Sequence, residues 1–156
     1  MSTSHTSRRF GPLVTAIALA TALATVSAQT KIVAPPNKYS VADDVKLGRE
    51  AAAEVRTQVP LMNDRTVDNW VEKIGARLVT GIPADMRRSE FRYTFDEVNQ
   101  KEINAFALPG GPMFLNRGMI EAANTEAEVA GVMAHEMSHV VLRHGTAGAG
   151  KSIRPS

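Results

Sequence analysis

Residues 135–139 read His-Glu-Met-Ser-His, inside a run from Val129 to Val141 whose apolar residues recur at helical spacing. No other stretch restricts the chain as tightly. On an α-helix, positions i and i+4 share a face, one turn apart. His135 and His139 can therefore turn two imidazoles toward one metal ion. Glu136, on the flank of that face, can hold a metal-bound water without being a ligand. Two nitrogen donors and a carboxylate base at this spacing are the arrangement of a zinc hydrolase. The plainer reading is a helix with two surface histidines and a solvated glutamate. It leaves Glu136 among Val132, Met133, Val140 and Val141, an odd position for a merely solvated carboxylate. Of the 4 histidines, only His5 lies outside the ten-residue window that also holds His144.

The length of 156 residues allows one domain with a sizeable core. With no cysteine there is neither a disulfide framework nor a thiolate metal site. Residues 1–28 read as a secretory signal: Arg8-Arg9 supply a positive start, Leu13 to Val26 an uncharged apolar run, and Val26-Ser27-Ala28 a small-residue cleavage site. Ser7-Arg8-Arg9 also hints at twin-arginine export, so the route is left open. A periplasmic or secreted bacterial location follows. The formal charge of +2 comes from Arg8 and Arg9, and without them 16 basic side chains face 16 acidic ones. Nothing in that balance recommends nucleic acid as a partner.

Residues 29–38 form a linker with Pro35-Pro36, and the ordered domain is expected over 39–145. Ser40 with Asp43 resembles a helix N-cap, and Val41, Val45, Ala52 and Val55 give a helix that ends before Pro60. Asn63 or Asp64 caps a second helix along Val67, Trp70, Val71, Ile74 and Leu78, a stripe read as core rather than ligand site. The period then changes. Phe91, Tyr93 and Phe95 alternate with polar residues as a strand, Glu102 to Leu108 is a second strand, Pro109-Gly110-Gly111-Pro112 a turn, and Met113 to Asn116 a third strand. Arg117 to Ala123 is a short helix. Thr125 and Glu128 form a capping box for a long helix running to about His144, with Gly145 as its C′ residue. Residues 146–156 are expected to be a disordered tail. The fold class is α+β: N-terminal helices, a small antiparallel sheet, and one long helix bearing the histidine pair.

Asn104-Ala105-Phe106-Ala107-Leu108-Pro109-Gly110-Gly111, then Phe114-Leu115-Asn116-Arg117-Gly118-Met119-Ile120, then Glu126 to His144, together resemble the HtpX and CAAX-prenyl-protease family of zinc metallopeptidases. Leu47-Gly48-Arg49-Glu50-Ala51 and the Trp70 helix are similar to its soluble periplasmic branch, so the likeness spans roughly 39–147. The resemblance implies a gluzincin fold with one zinc per chain, bound by His135 and His139, and with Glu136 activating water. It implies that Asn104, Ala105, Phe106 and Ala107 form an edge strand to which an extended protein or peptide substrate adds. An association with the cell envelope is compatible with this.

The family's third ligand is a glutamate from a later helix, in a pattern like Glu-x-x-x-Asp. The 17 residues after His139 hold no Asp or Glu. A third histidine six residues after the second also fails, since that position is Gly145. On a continuous helix His144 stands about 140° round from His139 and faces away from the metal, as a cation for the helix C-terminus. Glu128 is accounted for by the capping box, while Glu121 and Glu102 stay open as donors. The expectation is thus an incomplete zincin-like domain, C-terminally truncated. Its function would be that of a zinc-dependent endopeptidase on periplasmic or envelope proteins, weakly active or inactive alone. The alternatives are a non-catalytic, chaperone-like peptide-binding module and a gene remnant.

Overall fold

A computed structural model describes residues 32–149 of the chain. The signal segment 1–28 and tail residues 150–156 lie outside the described residues.

Three helix starts follow from local capping. Ser40 begins α1 (Val41–Gln58) with a complete capping box: Asp43 N donates to Ser40 Oγ at 3.1 Å and Ser40 N to Asp43 Oδ2 at 2.8 Å. Asp64, not Asn63, caps α2 (Arg65–Thr80), accepting from the amides of Thr66 and Val67. Thr125 caps α4 (Glu126–Val141) by accepting from Glu128 N. The Glu128 carboxylate reaches back one residue beyond the cap and takes the Asn124 amide at 2.7 Å. Between these lie β1 (Thr94–Val98), β2 (Ala105–Ala107), β3 (Pro112–Asn116) and α3 (Arg117–Ala122); α5 (His144–Ala149) follows α4.

The sheet order is β1-β3-β2. β2 and β3 form an antiparallel hairpin, but β3 inserts beside β1 in parallel, with Phe95 opposite Met113 and Glu97 opposite Leu115. The sheet is therefore mixed, where sequence reading expected it antiparallel. The hairpin is inserted as a unit, so the strand that follows β2 in the chain lies between β1 and β2 in space. β1 begins only at Thr94. Phe91–Tyr93, read as strand from their alternation, instead follow a turn in which Phe91 N bonds Arg88 O, and Arg92 N then bonds Gly110 O at 2.8 Å.

Strand alternation divides the core. Met113 and Leu115 point to one face and join Val71 and Ile74 of α2, Met119 of α3, and Val129, Met133 and Met137 of α4. Phe114 points to the other, where it meets Ala52 of α1 and Val98. Phe106 stacks on Phe114 with ring centroids 5.1 Å apart. The sheet thus lies between α1 on one side and α2, α3 and α4 on the other. Gly48 of α1 lies so close to the hairpin turn that a Cβ there would fall 1.6 Å from the Pro109 carbonyl oxygen, so only glycine permits this approach. Trp70 packs against the larger cluster, and its indole N–H donates to Glu126 at 3.0 Å.

The C-terminal end departs most from expectation. α4 stops at Val141, and Arg143 takes a left-handed conformation, φ +59°. The chain then restarts as α5, so the segment to Ala149, expected as tail from 146 on, is helical, with Thr146 and Ala147 buried. The cause is polar. Asp44 of α1, 1% exposed, forms an ion pair with Arg143 Nε and accepts from Thr146 Oγ1 at 2.8 Å. Arg143 also donates to Tyr39 O at 2.6 Å, and Asn37 to Thr146 Oγ1 at 2.7 Å. Left-handed backbone at a non-glycine residue costs of order 1–3 kcal/mol, and this buried network offsets it.

Candidate metal centre

α4 carries His135, Glu136 and His139. Its opposite face is anchored by Val129, Met133, Met137 and Val140, all buried, so the histidine face turns away from the core. His135 is exposed, and Glu136 and His139 are half-buried. The rings lie 4.8 Å apart at 82°, and their Nε2 atoms are 3.2 Å apart. Two nitrogens each about 2.0–2.1 Å from a tetrahedral zinc would be about 3.3 Å apart, so the pair fits two corners of such a site.

No group of three or more His, Asp or Glu able to hold a metal occurs among the described residues. Of the acids left open by sequence, Glu121 pairs with Arg117 at 2.7 Å, and Glu102 is exposed. Glu128 serves the α4 cap.

His144 was expected to face away from the metal as a cation for the helix C-terminus. It lies against His139 on the edge opposite Nε2: the two Nδ1 atoms are 2.7 Å apart, with ring centroids at 4.9 Å. An offset of about 140° holds for an unbroken helix, and the left-handed Arg143 breaks it. The signal available in sequence was the third histidine in the window; the missing information was Asp44, 99 residues from its arginine partner.

Asn104–Ala107 lie beside this helix. Ala105–Ala107 are β2, at the end of the sheet order and packed on α4; Asn104 precedes the strand and is exposed. The bonds Asn116 N to Asn104 O (3.0 Å) and Leu108 N to Pro112 O (2.7 Å) set the ladder phase. Residues 104, 106 and 108 bond inward to β3, so the main-chain groups of Ala105 and Ala107 point to the open edge. Their small side chains lie against the main core, while Phe106 lies against the other face. A cavity of about 30 Å³ lined by Ala107, Leu108, Pro109, His139 and Arg143 joins the end of β2 to the histidines. The outer edge of β1 is partly closed by Leu61, bridged to Val98, and by Met62 N bonding Glu97 O at 2.8 Å. A wider groove of about 610 Å³, between α2 and residues 91–95, includes none of these side chains.

The sequence profile of Peptidase family M48 matches residues 65–153, which takes in the sheet, the histidine helix and the α4–α5 turn. The chain belongs to that family. The M48 chain is 33% identical over 105 residues to the beta-barrel assembly-enhancing protease of Escherichia coli K12, covering 67% of this chain and 21% of that protein. It is 37% identical over 90 residues to a putative beta-barrel assembly-enhancing protease of Vibrio cholerae, covering 58% of this chain and 18% of that one. It is 27% identical over 110 residues to the mitochondrial metalloendopeptidase OMA1 of Schizosaccharomyces pombe, covering 69% of this chain and 32% of the relative. The M48 chain thus spans about a fifth to a third of the length of these relatives. Membership bears out the resemblance seen in its motifs. No helix among the described residues is long and apolar enough to cross a membrane.

Proposed function

We propose that this M48 chain is the zinc-binding part of a metalloendopeptidase that acts on protein substrates of the bacterial envelope. The observation that carries the proposal is the pair of Nε2 atoms 3.2 Å apart on the helix that also bears Glu136. His135 and His139 would hold one zinc per chain, with a further donor from outside the described residues. The chemistry such a metal supplies is Lewis-acid polarisation of a carbonyl and a lowered pKa for bound water. Glu136 is the general base: its carboxylate accepts a proton from the attacking water and delivers it to the leaving amine nitrogen. Ala105 and Ala107 hold the substrate as an added strand through their open main-chain groups, while Asn104 and Phe106 flank it. The envelope setting draws on the signal-like sequence at 1–28 and on relatives named for β-barrel assembly.

The test is cleavage of an unfolded outer-membrane protein by purified protein, with Glu136→Gln beside it. Cleavage that falls by a factor of about 10²–10⁴ in Glu136→Gln, with zinc content unchanged, supports the mechanism. Equal cleavage by the two proteins refutes it.

A second reading is favoured by one observation: the described residues offer only two donors, whereas the β2 edge is fully formed. On that reading the chain is a chaperone-like module that holds extended polypeptide without cutting it. Capture of unfolded substrate that persists in chelator, without cleavage, would select this alternative.

A further inference from the structure

Resting on the reading of His135 and His139 as metal ligands, we propose that His144 is a positioning residue that orients His139 through its Nδ1 edge. The two Nδ1 atoms are 2.7 Å apart and the rings are inclined at 65°. A neutral imidazole has one N–H donor and one acceptor nitrogen, so two facing Nδ1 atoms at this distance share a single proton. When His139 gives its Nε2 lone pair to a metal, its own proton must sit on Nδ1. His139 then donates to His144 Nδ1, and the His144 proton is on its Nε2. Metal-bound histidines commonly donate their second nitrogen to an acceptor that sets tautomer and ring angle. Here that acceptor is another imidazole.

Two further facts favour this role over that of a third ligand. The His139 nitrogen that faces His144 is Nδ1, on the edge opposite the Nε2 that faces His135. His144 is also not free to swing: the preceding Arg143 is fixed in its left-handed conformation by Asp44 and by Tyr39 O, and Thr146, two residues on, is fixed by Asp44 and Asn37. The α1 contact therefore sets the metal-facing ring by way of the α4–α5 turn.

The experiment compares the full chain with His144→Phe and His144→Asn. Phenylalanine keeps the ring shape without nitrogen; asparagine places an acceptor oxygen near the position of Nδ1. Ring ¹H–¹⁵N spectra of the metal-free protein should show one slowly exchanging proton on an Nδ1 of the His139–His144 pair. That proton should vanish in His144→Phe and return, on His139, in His144→Asn. The dissociation constant for Zn²⁺, from chelator competition, should rise about 10–100-fold in His144→Phe and stay within roughly threefold of wild type in His144→Asn. Wild-type spectra without that proton overturn the proposal, whatever the folding of the variants. So does a His144→Phe protein that binds zinc like wild type. Failure of the wild type itself to bind zinc strikes instead at the metal reading beneath it.

Discussion

Arg143, at the turn between α4 and α5, forms an ion pair with Asp44 of α1, and the aspartate is 1% exposed. Removing one member of a buried pair leaves the other charge uncompensated and costs about 3–5 kcal/mol. Asp44→Ala should therefore destabilise the chain by about that much in urea denaturation. Thr146→Val, which removes one neutral donor to the same carboxylate, should cost only about 1 kcal/mol. Similar small losses from both would show that the network does not hold the turn.

Glu97 on β1 is 5% exposed, and its Oε1 has no hydrogen-bond partner among the described residues. Burial first, and then the nearby Asp68 carboxyl, push its pKa up from 4.5 to about 8. The folded value lies above the unfolded one, so the folded chain holds an extra proton between them. The stability from this group is fully present below about 4.5 and is lost as pH rises through about 8. The melting temperature of wild type should fall between pH 5 and pH 9, and that of Glu97→Gln should fall less. An equal fall in both would remove Glu97 as the cause.

The ladder phase of the β2–β3 hairpin separates two proline substitutions. Ala107→Pro deletes an N–H that points to the open edge, so it should leave the sheet intact. Loss of that one bond, worth about 0.5–1.5 kcal/mol, weakens peptide binding about twofold to thirteenfold. Phe106→Pro deletes an N–H that faces β3 and should lower the melting temperature instead. Fluorescence titration with an extended peptide, run beside thermal melts, distinguishes the two. If Phe106→Pro were the one to spare stability, the strand would present the opposite edge.

Much of this was legible locally. Ser40, Asp64 and Thr125 announce their helices because a cap needs only residues two or three positions away. His135 and His139 meet because i,i+4 geometry is intrinsic to the helix. What failed was non-local. The parallel pairing of Glu97 with Leu115 depends on a hairpin inserting beside β1, which no alternation pattern encodes. The break after Val141 depends on Asp44, which reads in sequence as one more acid in the first turn of a helix. The resemblance implied an edge strand over Asn104–Ala107, of which β2 holds Ala105–Ala107, and only the hydrogen-bond ladder distinguishes Ala105 and Ala107 from Phe106 there.

Two imidazoles that present one metal site, His135 and His139, are tested most directly by calorimetric titration with Zn²⁺. The prediction is one equivalent per chain for the wild type, with affinity weakened about tenfold or more in each of His135→Ala and His139→Ala. Wild-type affinity and stoichiometry retained in both single variants would contradict it.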